Sequence, residues 1–77
     1  MTIFDFLENK LGFNINNLID KIKNGRTIRD VFKSLEEIAP SSEAKNRIIE
    51  IKKLKTERAT ADINEARKII GCKVLKN

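Results

Sequence analysis

Regularly spaced helix start and stop signals are the feature that most constrains the fold of this chain. Thr2, Asn14 and Thr27 each precede apolar residues that recur every three or four positions. This is the pattern of an amphipathic helix whose first turn is capped by a polar side chain. Each segment is followed by a residue that disfavours helix; these are Gly12, Gly25 and Pro40. The pattern therefore predicts three short helices within residues 1–40.

The second half of the chain leaves two alternatives open. A serine, Ser41 or Ser42, starts a fourth helical segment. New start signals then follow near Asp62, so residues 42–58 and 62–70 could be separate helices. Alternatively, one continuous helix would cover the whole region, protrude, and pair with a partner or a second copy. Lysines interrupt its apolar stripe and Thr60 is β-branched, so we expect a break near residues 59–61.

No part of the chain shows the alternation of apolar and polar residues that a pair of strands would need. Cys72, Val74 and Leu75 form the only plausible strand fragment, and nothing in the chain could pair with it. The 77 residues have room for one domain. We predict an all-α fold, a small bundle of four to five short helices over residues 1–77, with the C-terminal helix either broken or long and continuous.

The basic residues are unevenly distributed. Residues 1–40 carry six basic and six acidic groups, so this three-helix part is neutral. Residues 41–77 carry ten basic and five acidic groups, which accounts for the whole net charge of +5. A cationic half raises the local concentration of anions such as nucleic acid or acidic protein surfaces.

Some of these charges are expected to pair along the helices, and the others remain available for a partner. Four pairs have helical spacing: Glu43–Arg47, Glu50–Lys53, Arg58–Asp62 and Glu65–Lys68. The unpaired set is mostly lysine, which suits phosphate contact without reading of bases. No aromatic residue occurs in residues 41–77, so stacking on bases is not expected from this half. Together with two arginines of the first half, the predicted contact residues are Lys45, Lys52, Lys55, Arg67, Lys73, Lys76, Arg26 and Arg29.

Residues 15–37 also fit a helix–turn–helix, in which the second helix opens with Arg26, Thr27 and Arg29. Against this, Lys21 occupies the position where that motif has a small buried residue. Two helices that simply pack around a glycine turn are the alternative interpretation.

Several kinds of chemistry are excluded by residue types. The chain has no histidine and one cysteine, so neither a nucleophile–base pair nor a Cys/His metal site is expected. The three glycines are isolated and form no phosphate-binding loop. We therefore predict a non-enzymatic protein with no cofactor, metal or small-molecule substrate. The first residues lack a basic signal region and no apolar run could cross a membrane, so we expect a cytoplasmic protein.

Residues 47–55 and 63–70 contain a basic-Ile-x-x-Ile-Lys run and an Asn-Glu-Ala-Arg-Lys run. This pair resembles the helix–turn–helix of the C-terminal domain of the bacterial ribosomal stalk protein, and the resemblance implies binding of translation factors. The glycine-rich turn of that family is replaced by residues 58–62, and its flanking strands are missing here. No site residue is transferred from it.

The function predicted from the sequence is binding of the DNA or RNA backbone through the C-terminal half, in a regulatory role. An acidic protein surface is another partner for the same charges. The alternative is a protein-interaction module that acts as an adaptor or as an inhibitor of a larger enzyme. Such a module would come from a phage or mobile element. It would dock through an apolar helix face, as a homodimer or on another protein, because Ile48-Ile49 and Ile69-Ile70 give faces wider than one stripe.

Overall fold

All regular secondary structure in the computed structural model is helical, and the model describes residues 2–54 and 56–76. The elements are α1 (Ile3–Asp5), which continues into a π-helical segment (Phe6–Lys10), α2 (Ile15–Asn24), α3 (Ile28–Glu37), α4 (Ser42–Leu54) and α5 (Thr56–Ile69). The described residues contain no strand, so the all-α prediction is confirmed. The π-helical winding of the first segment was not predicted from the sequence.

Four of the predicted helix starts are confirmed by hydrogen bonds at their caps, whereas the start expected near Asp62 is wrong, because Asp62 lies inside α5. At each of the four, a side-chain oxygen accepts a hydrogen bond from a first-turn backbone N–H, which the helix itself leaves without a partner. The capping residues are Thr2, Asn14, Thr27 and Ser41. Between the two serines, Ser41 is the cap, because its Oγ accepts from the N–H of Ala44 at 3.1 Å and Ser42 is already helical.

The core forms where the buried stripe of α5 meets the other helices. Ala59, Ile63 and Ala66 lie at helical spacing along α5 and are all buried. Helix α5 packs against α1, α2 and α3, and α4 packs against α3. Three of the four phenylalanines are in the core, and Phe6 is half-buried. The neutral and basic halves of the sequence therefore share one core.

The break expected near residues 59–61 is wrong, because α5 runs through them without interruption. Packing of Ala59 and Ile63 in the core outweighs the weak helix propensity of Thr60, whose hydroxyl donates to the carbonyl of Thr56 at 3.0 Å. Helix α4 ends at Leu54 and α5 begins at Thr56, with Lys55 outside the described residues.

The alternative of one long, continuous and protruding helix is not met either. A straight helix over residues 42–69 would be about 42 Å long at 1.5 Å per residue. The longest dimension of the molecule is 30 Å. Helices α4 and α5 are therefore not one straight rod.

The chain after α5 folds back onto it. Gly71 has a φ of +83° and ends the helix as predicted, with the N–H of Cys72 donating to the carbonyl of Arg67 at 2.7 Å. Further along, the N–H of Leu75 donates to Oδ1 of Asn64 at 2.7 Å, and Nδ2 of Asn64 donates to the carbonyl of Leu75 at 2.9 Å. The only plausible strand fragment of the sequence is thus not a strand, and its backbone at Leu75 pairs with the side chain of Asn64.

Gly25, between α2 and α3, provides a test of how closely these two helices pack. A Cβ at this position would overlap Cγ2 of Val31 in α3. We expect Gly25→Ala to lower the free energy of unfolding by about 1–3 kcal/mol through overpacking. In a Val31→Ala background most of that loss should disappear, because the overlapping methyl is gone. Urea denaturation of the four proteins in this double-mutant cycle measures the difference.

Gly71 provides the control for backbone effects. Nothing lies within 4 Å of a Cβ built there, but its positive φ is strained for alanine. Gly71→Ala should therefore cost about 1 kcal/mol in both backgrounds. A cost for Gly25→Ala that does not depend on Val31 would contradict the steric explanation.

Candidate nucleic-acid interface

Arg67 is buried, with 7% of its surface exposed. Its guanidinium donates to the carbonyls of Ile22 at 2.7 Å, Lys23 at 3.2 Å and Lys73 at 2.7 Å. The first two belong to the last turn of α2, where carbonyls lack helical partners and carry partial negative charge. Arg67 therefore caps α2 and holds the C-terminal tail. Because Arg67 is buried and its Nε and Nη1 groups donate to the protein itself, it does not join the other predicted contact residues at the surface.

The same guanidinium brings two lysines together. It contacts the backbone of Lys23 at the end of α2 and of Lys73 in the tail, and both lysine side chains are exposed. Lys73 was predicted as a contact residue from the sequence. Lys23 was missed because it lies in the neutral half, and nothing in the local sequence indicates that the tail reaches it.

Arg29 and Lys52, two of the predicted contact residues, line one cleft of about 340 Å³. They meet there because residues 38–41 join α3 to α4 and reverse the direction of the chain. The end of α4 therefore lies beside the start of α3. The other lining residues are Thr27, Ile28, Phe32, Thr56 and Ala59. None of the described lining residues is acidic, so the cleft has a positive charge.

Two pairs of cations, Lys23 with Lys73 and Arg29 with Lys52, are thus brought together by Arg67 and by the cleft. With Arg26 they form a set of five exposed cations that we call the basic edge. Arg26 is part of the edge because it lies in the connection between α2 and α3. Within the described chain, no carboxylate oxygen lies within 4.0 Å of a basic-edge nitrogen. Arg26 also lines a hollow between α2 and α3 together with acidic side chains, among them Asp20 and Asp30, so this side of the edge is of mixed charge.

The remaining predicted contact residues lie elsewhere. Lys45 is exposed on the same flank of α4 as Lys52, but seven residues away, which is about 10 Å along a helix. Lys76 is exposed in the tail. Lys55 lies outside the described residues.

The predicted ion pairs are only partly present. Arg58 and Asp62 pair as predicted, with Nε 3.3 Å from Oδ1. Arg47 pairs with Glu50 at 3.1 Å instead of with Glu43, and its guanidinium lies 5.9 Å from the centre of the Phe6 ring. Of the carboxylates in residues 2–54 and 56–76, none is within 4.0 Å of Lys53 or Lys68. More cations of residues 41–77 are therefore without a close acidic partner among the described residues than the i,i+3 and i,i+4 spacing of charges predicts.

The helix–turn–helix interpretation fits the length of the connection but not the charge of the second helix. Helices α2 and α3 are joined by three residues. Along α3, however, Asp30 and Glu37 share the exposed face with Lys33. Acidic groups repel phosphate, and Asp30 lies in the first turn of α3, beside Arg29, so the exposed face of α3 is of mixed charge from its start.

Neither a membrane-spanning helix nor a cluster of potential metal ligands occurs in residues 2–54 and 56–76. No helix in this part of the chain is long and apolar enough to span a membrane. No group of three or more potential metal ligands comes together among residues 2–54 and 56–76.

Comparison with known proteins gives no match to a family model, a curated protein or a solved structure. The resemblance of residues 47–70 to the ribosomal stalk domain therefore gains no support.

Replacement of Arg67 tests its role in the fold. We expect Arg67→Ala to lower the free energy of unfolding by about 2–4 kcal/mol, because three carbonyls lose charge-assisted hydrogen bonds. Arg58→Ala is the control, because it removes an exposed ion pair that contributes at most about 1 kcal/mol. Urea denaturation measures both, and equal losses would show that the buried bonds add little.

Proposed function

We propose that this protein is a non-enzymatic nucleic-acid-binding protein that contacts the sugar–phosphate backbone through the basic edge, in a regulatory role. The proposal is supported by two pairs of exposed cations, Lys23 with Lys73 and Arg29 with Lys52, and by Arg26 in the connection between α2 and α3. Among the described residues, none of the five has a carboxylate oxygen within 4.0 Å. Arginine and lysine at such a surface bind phosphates and release counterions.

The aromatic residues support backbone contact instead of base recognition. Phe4, Phe13 and Phe32 are buried, and Phe6 is half-buried beside Arg47. The chain therefore offers no exposed ring on which a base could stack. Binding of this kind is weakly dependent on sequence and falls steeply with salt.

Charge removal at the edge tests the proposal. We expect the double variant Arg29→Ala/Lys52→Ala to bind DNA and RNA about 10–100 times more weakly at low salt. The slope of log affinity against log salt should decrease by about two, one for each lost phosphate contact. Fluorescence anisotropy with labelled oligonucleotides over a salt series measures both quantities.

Lys10→Ala/Arg58→Ala is the matched control, because it removes one lysine and one arginine outside the edge. It should keep most of the affinity. Equal weakening in the two double variants would indicate attraction by net charge alone, and no binding by the unmodified protein at low salt would exclude the function.

A second candidate function, a protein-interaction module, is favoured by the other flank of α4. There Ile3, Phe6 and Ile51 line a hollow of about 250 Å³ together with Arg47. Leu54 follows Ile51 by three residues and is 70% exposed. An exposed leucine beside a partly apolar hollow is typical of a surface that docks on a second copy or on another protein.

If this surface docks on a second copy of the chain, Leu54→Asp should weaken that self-association. The variant should fold normally, because the side chain is exposed, but should lower the average mass seen by light scattering at high protein concentration. Ile69→Asp, which changes another exposed apolar residue, is the control. A monomeric mass for the unmodified protein at every concentration would exclude docking on a second copy.

A further inference from the structure

We infer that the cleft between Arg29 and Lys52 binds a phosphate monoester, the group that ends a 5′-phosphorylated nucleic-acid strand. This inference rests on the proposed function and adds a preference for strand ends to it. The cleft joins the first turn of α3 to the end of α4 and the start of α5, at one end of the basic edge.

The cleft offers three polar groups that can donate to an anion. Arg29 presents a planar fork of N–H donors and Lys52 an ammonium group, and neither has a carboxylate partner within 4.0 Å among the described residues. Oγ1 of Thr27 accepts from the N–H of Asp30 at 3.0 Å, which leaves its own hydrogen available to donate.

Thr56 has a different role, because its hydroxyl donates to the carbonyl of Lys52 at 3.2 Å. That hydrogen bond joins the first turn of α5 to the backbone of Lys52 in α4. The donors therefore come from Thr27, Arg29 and Lys52.

Three apolar side chains lie deep in the lining of the cleft: Ile28 is 7% exposed, and Phe32 and Ala59 are each 1% exposed. Most of the accessible lining is nonetheless apolar, so shape alone does not select an anion. The preference for an anion over an apolar anchor rests on the two cations of the cleft, which have no carboxylate within 4.0 Å among the described residues.

The charge of the cleft selects the type of phosphate. Its described lining residues carry two positive charges and no negative one. A phosphodiester inside a strand carries one negative charge, whereas a phosphate monoester carries about 1.5–2 near neutral pH. The terminal monoester therefore matches the two cations more closely.

The experiment compares oligonucleotides of one sequence with a 5′-phosphate and with a 5′-hydroxyl. We expect the phosphorylated strand to bind the unmodified protein about tenfold more tightly. Thr27→Asp should remove this preference, because aspartate keeps the helix cap but places a negative charge in the cleft. Asn14→Asp is the matched control, since Asn14 also caps a helix, lies outside the cleft, and undergoes the same change in charge.

Amide chemical shifts with inorganic phosphate give an independent measurement that needs no nucleic acid. Residues 27–29 and 52 should show the largest changes in the unmodified protein and none in Thr27→Asp. Changes spread over all exposed lysines, or largest elsewhere, would contradict the site.

The remaining outcomes show whether the cleft site fails alone or together with the proposed function. Equal affinity for the two oligonucleotides would overturn the cleft site and leave backbone binding by the basic edge intact. Binding of neither would overturn both. The cleft site would also be overturned if Asn14→Asp lost the preference as fully as Thr27→Asp, or if an acidic peptide without phosphate displaced the phosphorylated strand.

Discussion

A buried cation held only by carbonyl groups is the interaction on which the arrangement of this protein depends. Removing a guanidinium from water is costly unless its donors are satisfied. For Arg67, the last turn of α2 and the tail supply those acceptors. A domain of this size buries a small core, and its single cysteine cannot form an internal disulfide. The polar link therefore joins three segments that apolar packing alone would hold weakly, and it also sets Lys23 beside Lys73.

The helices could be predicted because their signals are local. A cap such as Thr27 acts on an N–H three residues away, and Gly71 ends a helix through its own φ. The break expected near residues 59–61 failed because it was judged from side-chain propensity. Burial of Ala59 and Ile63 contributes more to stability than Thr60 costs, and that burial depends on helices far away in sequence.

The candidate site was less predictable, since a count of charges along the chain does not say which charges are neighbours. Four of the five basic-edge residues were predicted, but Arg29 and Lys52 meet only because α3 and α4 fold against each other. Lys23 was missed for the same reason. Arg67 did carry a signal: it lies four residues after the apolar Ile63, on the side of α5 that faces the core.

The pairing of Asn64 with Leu75 has a consequence for how such a protein can vary. The amide of Asn64 binds the main-chain N–H and carbonyl at position 75, and Arg67 likewise binds the main chain of Lys73. None of these hydrogen bonds involves the side chain of a tail residue. Substitutions of the exposed tail residues Lys73 and Lys76, proline excepted, can therefore alter the charge of the tail over evolutionary time while its path over the helices is inherited unchanged.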